Sequence, residues 1–159
     1  GLACLEGRIE RPPADRRFFV ARFRLPTPRL ALGQGLIGQA SAAIDISDGL
    51  LADIGHLCRA SGVGATIELA RAPLSPAARR VVRLDQPSLL TLLGAGDDYE
   101  LAFTARPDAH TALARLSRRT GTPIARIGCI RRGQGVVVTD AAGKELTIRH
   151  AGHRHLGQV

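Results

Sequence analysis

The chain of 159 residues contains no methionine and no tryptophan, one tyrosine and four phenylalanines. So few rings offer no stacking platform of the kind that single-stranded nucleic acid needs. Lysine is nearly missing too: Lys144 is the only one, and every other basic side chain except histidine is arginine. A net charge of +8 ordinarily raises nucleic acid or an anionic membrane as a partner. Here the arginines are scattered, in no run longer than two, through a chain rich in Ala, Gly and Pro, a bias that base composition of the coding DNA explains as well as a ligand does. We therefore expect no nucleic-acid and no membrane partner. Cys4, Cys58 and Cys129 are odd in number, far apart and in no C-x-x-C pair, which argues against a disulfide framework and a zinc site and suits a reducing cytoplasm. No apolar run approaches the roughly 20 residues of a spanning helix, and no basic-then-apolar leader opens the chain. The opening GLACLEGRIE, with no methionine, reads as an excised or truncated piece that starts inside a helix. No G-x-x-x-x-G-K-[ST] loop is present, which excludes nucleotide binding of the P-loop type in this piece.

What is present is a one-domain length with an ordinary apolar fraction of 45% and charges interspersed at short intervals, the profile of a globular domain. Helical periodicity runs from about Leu2 to Arg24, broken at Pro12-Pro13, with Asp15 as a cap for the second piece. The prolines of LPTPR then re-aim the chain into a helix over Leu30 to Gln39. Gly33-Gln-Gly35-Leu-Ile-Gly38 matches G-x-G-x-x-G, but no strand precedes it and no helix has room to follow, so it is a decoy for dinucleotide binding. Ala42 to Ser47 alternates, with Ile44 and Ile46 on one face and Ala43, Asp45 and Ser47 on the other. A helix follows, carrying Leu50, Leu51, Ile54, Leu57 and Cys58, with Asp53 and His56 on its polar side and Gly62 as its stop. Strands are expected at Ala65 to Leu69, Tyr99 to Thr104, Ile124 to Ile130, Val136 to Thr139 and Glu145 to Ile148. Helices are expected at Pro76 to Leu84, Pro87 to Leu93 and Asp108 to Arg119. This order predicts an α+β fold, helices layered on a mixed sheet.

Two acidic clusters stand out in an otherwise basic chain. In AIDISDGLLAD, alternation puts Asp45 and Ser47 on one strand face, and Asp48 lies where the next helix begins. Three oxygen-bearing side chains so placed suit a hard cation such as magnesium, and Gly49 leaves room for a ligand. The plainer alternative is that Ser47 or Asp48 caps the helix and Asp45 is merely solvated. In GAGDDYEL, three acids fall between a helix and a strand, which as a plainer alternative is a glycine-rich turn. His150, His153 and His155 near the C-terminus read first as a solvated tail, with metal binding or ligand stacking as alternatives.

Taken in order, PTPRLALGQGL, SAAIDISDGLLADIGHLCRASGVGATIELARAPLS, GAGDDYELAFT, PIARIGCI and AGHRHL resemble the carboxyl-terminal half of the thiamine-monophosphate kinase family. DISDGL, the following G-H-L-C-x-A-S-G and the G-x-x-DYEL-x-FT segment are the most specific elements. The resemblance implies the α/β sandwich of the aminoimidazole ribonucleotide synthetase superfamily, whose carboxyl-terminal domain is related to the ferredoxin-like arrangement. It divides the chain into the end of a preceding domain, linker and leading helices at 1–40 and the α/β domain at 41–159, without the family's amino-terminal ATP and magnesium domain.

The reaction implied is ATP-dependent phosphorylation of thiamine monophosphate to thiamine diphosphate with Mg²⁺, in a cytoplasmic homodimer. Carried over by the resemblance, Asp45 and Asp48 match magnesium ligands, Ser47 matches a serine that contacts ATP, and Asp97 matches an acid that contacts thiamine monophosphate. His153 stands where the family has an aromatic that stacks on the substrate, and GHRHL departs there twice, with His for the aromatic and Leu for Phe. Half an active site is expected, inactive alone. Competing readings are another enzyme of the superfamily, a non-catalytic phospholigand-binding or partner-binding module, and a basic nucleic-acid-binding domain.

Overall fold

A computed structural model describes residues 1–81, 83 and 85–147, and His150, His153 and His155 lie outside them. Chain order gives α1 (Leu2–Leu5), α2 (Pro13–Arg24), α3 (Leu30–Leu36), β1 (Ala40–Asp45), α4 (Leu50–Ser61), β2 (Gly64–Glu68), α5 (Pro76–Val81), α6 (Gln86–Leu93), β3 (Leu101–Ala105), α7 (His110–Thr120), β4 (Gly128–Arg131), β5 (Gly135–Thr139) and β6 (Glu145–Leu146). Two 3-10 turns, Leu69–Arg71 and Pro107–Ala109, link elements.

The strands form two sheets. β1 pairs with β3 antiparallel, and a four-stranded sheet runs in the order β4-β2-β5-β6. The larger sheet is mixed: β2 is antiparallel to β4 and parallel to β5, and β5 is antiparallel to β6. The parallel pair needs a long crossover, here the whole stretch from α5 to β4. The expected α+β arrangement with a mixed sheet is what the chain adopts, with β1 and β3 forming a ribbon of their own.

Each sheet has its own core. The apolar stripe of α4, Leu50, Leu51, Ile54 and Cys58, packs with Ala65, Ile67, Leu69, Leu93 and Val138. Leu51 is 2% exposed and Val138 is fully buried, and a leucine so placed contributes roughly 1.5–3 kcal/mol by leaving water. Leu32 and Leu36 of α3 meet Leu116 of α7 over Leu101 and Phe103 of β3. Gly62 ends α4 and Gly121 ends α7, both in the left-handed conformation that glycine adopts without a Cβ penalty.

Several local expectations change. Asp15 caps nothing: Pro12 is the N-cap of α2, and the buried Asp15 carboxylate pairs with Arg80 of α5 at 2.5 Å. The G-x-G-x-x-G run lies within α3 and the turn that ends it. Strand β4 is shorter than Ile124 to Ile130; only Gly128 onward joins the ladder, and before it the Ile127 carbonyl accepts from the Glu68 amide at 2.8 Å. Among the described residues no helix is long and apolar enough to cross a membrane.

Candidate functional site

Strand β1 alternates in burial as its sequence alternates, so Asp45 projects from the exposed face while Ile46, just past the strand, enters the core. The chain then turns through Ser47, Asp48 and Gly49 into α4. Neither Ser47 nor Asp48 is the N-cap. That position belongs to Gly49, at φ 119° and ψ 148°, which has no side chain to offer. Such a backbone is essentially restricted to glycine. The donors of the turn go instead to Asp53, one turn into α4, whose Oδ2 accepts from the amides of Ser47 at 3.0 Å, Asp48 at 3.0 Å and Gly49 at 3.1 Å. Asp53 is 3% exposed, so the expectation that it lies on the polar side of α4 is wrong. A helical wheel places it beside His56; the unfilled amides before the helix draw it inward.

The second acidic turn docks on the first. The Asp97 amide donates to the Ser47 carbonyl at 2.8 Å, the Tyr99 amide to the Ile46 carbonyl at 2.8 Å, and the Ile46 amide to the Glu100 carbonyl at 2.8 Å. This contact is close enough to require glycines. A Cβ on Gly96 would lie 2.3 Å from the Ser47 carbonyl oxygen, and one on Gly49 would lie 2.8 Å from the Gly94 carbonyl oxygen. Asp97 and Tyr99 both hold positive φ, 64° and 51°. For a tyrosine this is uncommon, and such conformations cost roughly 1–3 kcal/mol each and cluster at functional sites.

Charges converge there. The Tyr99 hydroxyl donates to Asp97 Oδ1 at 3.1 Å. That bond, then the Asp97 charge, burial, and the charges of Asp45 and Asp48, push the Tyr99 phenol up from its ordinary value. Asp45, Asp48 and Asp97 thus act on one ring although the chain brings them from two separate segments. Asp98 is pushed up to about 6, first by desolvation and then by the charge of Glu100, with Arg22 opposing. The residue keeps an exposed flank, so water moderates that desolvation. Glu100 itself is clamped: Arg29 reaches it with two bonds, 2.7 and 2.6 Å, and Arg22 with one of 2.6 Å. The hydrogen bond to Glu100 raises the Arg29 guanidinium. Two-pronged arginine contacts of this kind fix geometry as well as charge.

Among the described residues, the group of three potential metal ligands is Asp48, Asp53 and His56, with ligand atoms within 4.8 Å of one another. Asp45 is not a member, and the Asp53 oxygen that holds three amides is already committed. The turns therefore bring Asp45, Ser47, Asp48 and Asp97 to one end of the β1–β3 ribbon, whereas His153 falls outside the described residues. Sequence reasoning missed Asp53, Tyr99 and the Glu100 clamp. For Asp53 a signal was present: an acid in the first turn of a helix whose N-cap is glycine.

The family model described as AIR synthase related protein, C-terminal domain, matches residues 22–141. Thiamine-monophosphate kinase of Salmonella typhimurium is 41% identical over 129 residues, covering 80% of this chain and 39% of the relative. The crystal structure of the thiamine-monophosphate kinase of Stenotrophomonas maltophilia matches with a TM-score of 0.78 at 39% identity, over 86% of this chain and 44% of that one. AaThiL complexed with AMPPCP and TMP matches with a TM-score of 0.73 at 27% identity, over 96% of this chain and 46% of that one. The chain spans less than half the length of each of these relatives.

Proposed function

This chain belongs to the AIR synthase related family, as its C-terminal domain, and from that premise we propose that it forms the carboxyl-terminal half of a thiamine-monophosphate kinase, which phosphorylates thiamine monophosphate with ATP. The observation that carries the reading is the docking of the two acidic turns through the Asp97–Ser47 and Tyr99–Ile46 hydrogen bonds. A relative binding AMPPCP and TMP supports ATP and thiamine monophosphate as the ligands.

In this reading Asp45 and Asp48 hold Mg²⁺, Ser47 contacts ATP, and Asp97 contacts thiamine monophosphate. His153 keeps its proposed stacking role from the resemblance alone. The donor set fits the ion, since magnesium takes oxygen ligands and one or two protein carboxylates beside phosphate oxygens. Asp45 is exposed and Asp48 partly so, both within electrostatic reach of Tyr99. When bound, the metal neutralises phosphoryl oxygens, a task that P-loop lysines perform elsewhere. The chain's own contribution is positioning. Tyr99 steadies the Asp97 carboxylate through its hydroxyl, and the Arg22–Glu100–Arg29 clamp anchors the strand that follows. The carboxylates serve as ligands rather than general bases, because the phosphate of a monoester acceptor is already largely ionised near neutral pH. The rest of the active site comes from the remainder of the longer protein, a cytoplasmic homodimer by the same reading.

The test is ADP release from Mg-ATP and thiamine monophosphate by the full-length protein, with the upstream coding half in place. Asp48→Ala is expected to bring turnover to background with the far-ultraviolet spectrum unchanged. Parental turnover in that variant removes the role of Asp48, and a folded full-length protein that releases no ADP overturns the kinase reading.

A further inference from the structure

We infer that Asp53 is a positioning residue for this site: its buried carboxylate gathers the amides of Ser47, Asp48 and Gly49 and so determines where the Ser47 and Asp48 side chains point. The inference rests on the kinase reading and adds to it a residue that never touches substrate.

The arrangement is costly unless it serves as a clamp. A carboxylate 3% exposed forfeits hydration that only strong, charge-assisted hydrogen bonds replace. Here three consecutive amides converge on a single oxygen, at 3.0, 3.0 and 3.1 Å. The positive end of α4 lies at the same point and favours the negative charge. A serine or aspartate at the N-cap is the ordinary way to serve a helix start. With Gly49 at that position, the task passes to a residue inside the helix, and the turn carrying Ser47 and Asp48 is held from its buried side.

The clamp also reaches the second turn. Ser47 binds Asp53 through its amide and Asp97 through its carbonyl, so one residue joins the buried carboxylate to the acidic turn opposite. A shift at Asp53 therefore moves both halves of the site. A role as a metal ligand with Asp48 and His56 is the rival. The two differ in a metal-free measurement, because a ligand has no bearing on amide protection when no metal is present.

The test uses the full-length protein with Asp53→Asn, which keeps the shape and one acceptor oxygen but loses the charge, and with Asp53→Ala. Amide hydrogen exchange is read residue by residue without metal or substrate. In Asp53→Asn the amides of Ser47, Asp48 and Gly49 are expected to exchange about tenfold faster or more, as a neutral acceptor holds donors with about half the strength of a charged one. The turnover number is expected to fall roughly 10–100-fold, the usual range for residues that orient metal ligands. KM for thiamine monophosphate is expected to rise as well, because the Asp97 amide holds the Ser47 carbonyl and moves with the turn. Should Asp53→Ala fail to fold, the Asn variant still decides. Parental exchange at the three amides overturns the inference, as does faster exchange with parental turnover. A parental protein that releases no ADP refutes the kinase reading separately; the exchange rates then uphold or overturn the clamp alone.

Discussion

Replacing Gly96 by alanine tests the docking of the two acidic turns directly. The added Cβ would stand 2.3 Å from the Ser47 carbonyl oxygen, with the Asp48 and Ser47 carbonyl carbons at 3.2 and 3.3 Å. All three are backbone atoms, so no side chain can rotate away. Reaching ordinary van der Waals distance requires the turns to part by about 1 Å. The Asp97–Ser47 and Tyr99–Ile46 bonds, both 2.8 Å, then pass beyond the usual range of roughly 2.7–3.2 Å. Each is worth about 1 kcal/mol, so the loss is about 2 kcal/mol. For a chain of this size that lowers the melting temperature by about 4–8 °C. Calorimetry and urea unfolding read the loss, and exchange of the Asp97 and Tyr99 amides locates it. A variant within about 0.5 kcal/mol of the parent, the range of an inconsequential surface change, with both amides still protected would refute the reasoning.

Glu100→Gln should loosen α2 and α3 from the second turn. Glu100 is 37% exposed at its side chain and its partners 27% and 23%, so water screens the pairs and the expected loss is about 1–2 kcal/mol. The difference from the parent should shrink as salt is added, and a salt-independent difference would point to packing instead. Asp98 supplies a pH dependence. Its folded value, about 6, lies above its unfolded one, so between roughly pH 4 and 6 the folded state binds more protons. Stability from this group is therefore greatest in acid and declines as pH rises through 6. Asp98→Asn should remove that slope and raise stability at pH 7; urea midpoints across pH 4 to 8 that keep the parental slope would contradict the assignment.

The parts of the fold governed by local periodicity were legible in the sequence. β1 announced itself because alternate side chains must face opposite ways, and α4 because its apolar residues recur at helical spacing up to a glycine able to turn left-handed. Asp15 and Asp53 were not. Both were read as polar surface or cap, and both are buried because donors lie nearby in space: a guanidinium from α5 for one and three amides for the other. The candidate site shows the same division. That Asp45 and Ser47 share a face follows from β geometry alone, whereas the arrival of Asp97 over Ser47 depends on the antiparallel pairing of β1 with β3, which no local pattern encodes. Tyr99 was expected in a strand; its positive φ is imposed by that docking.

The pairing of β1 with β3 has a kinetic meaning as well. Closing a loop of about fifty residues between Ser47 and Asp97 costs entropy before any contact rewards it. By contrast α4 and β2 are neighbours in sequence and can associate early. The parallel pairing of β2 with β5 spans a still longer stretch of chain, so both sheets close late, and a chain with its helices made but its ribbon open would look folded to a helix-sensitive probe while its two acidic turns stayed apart.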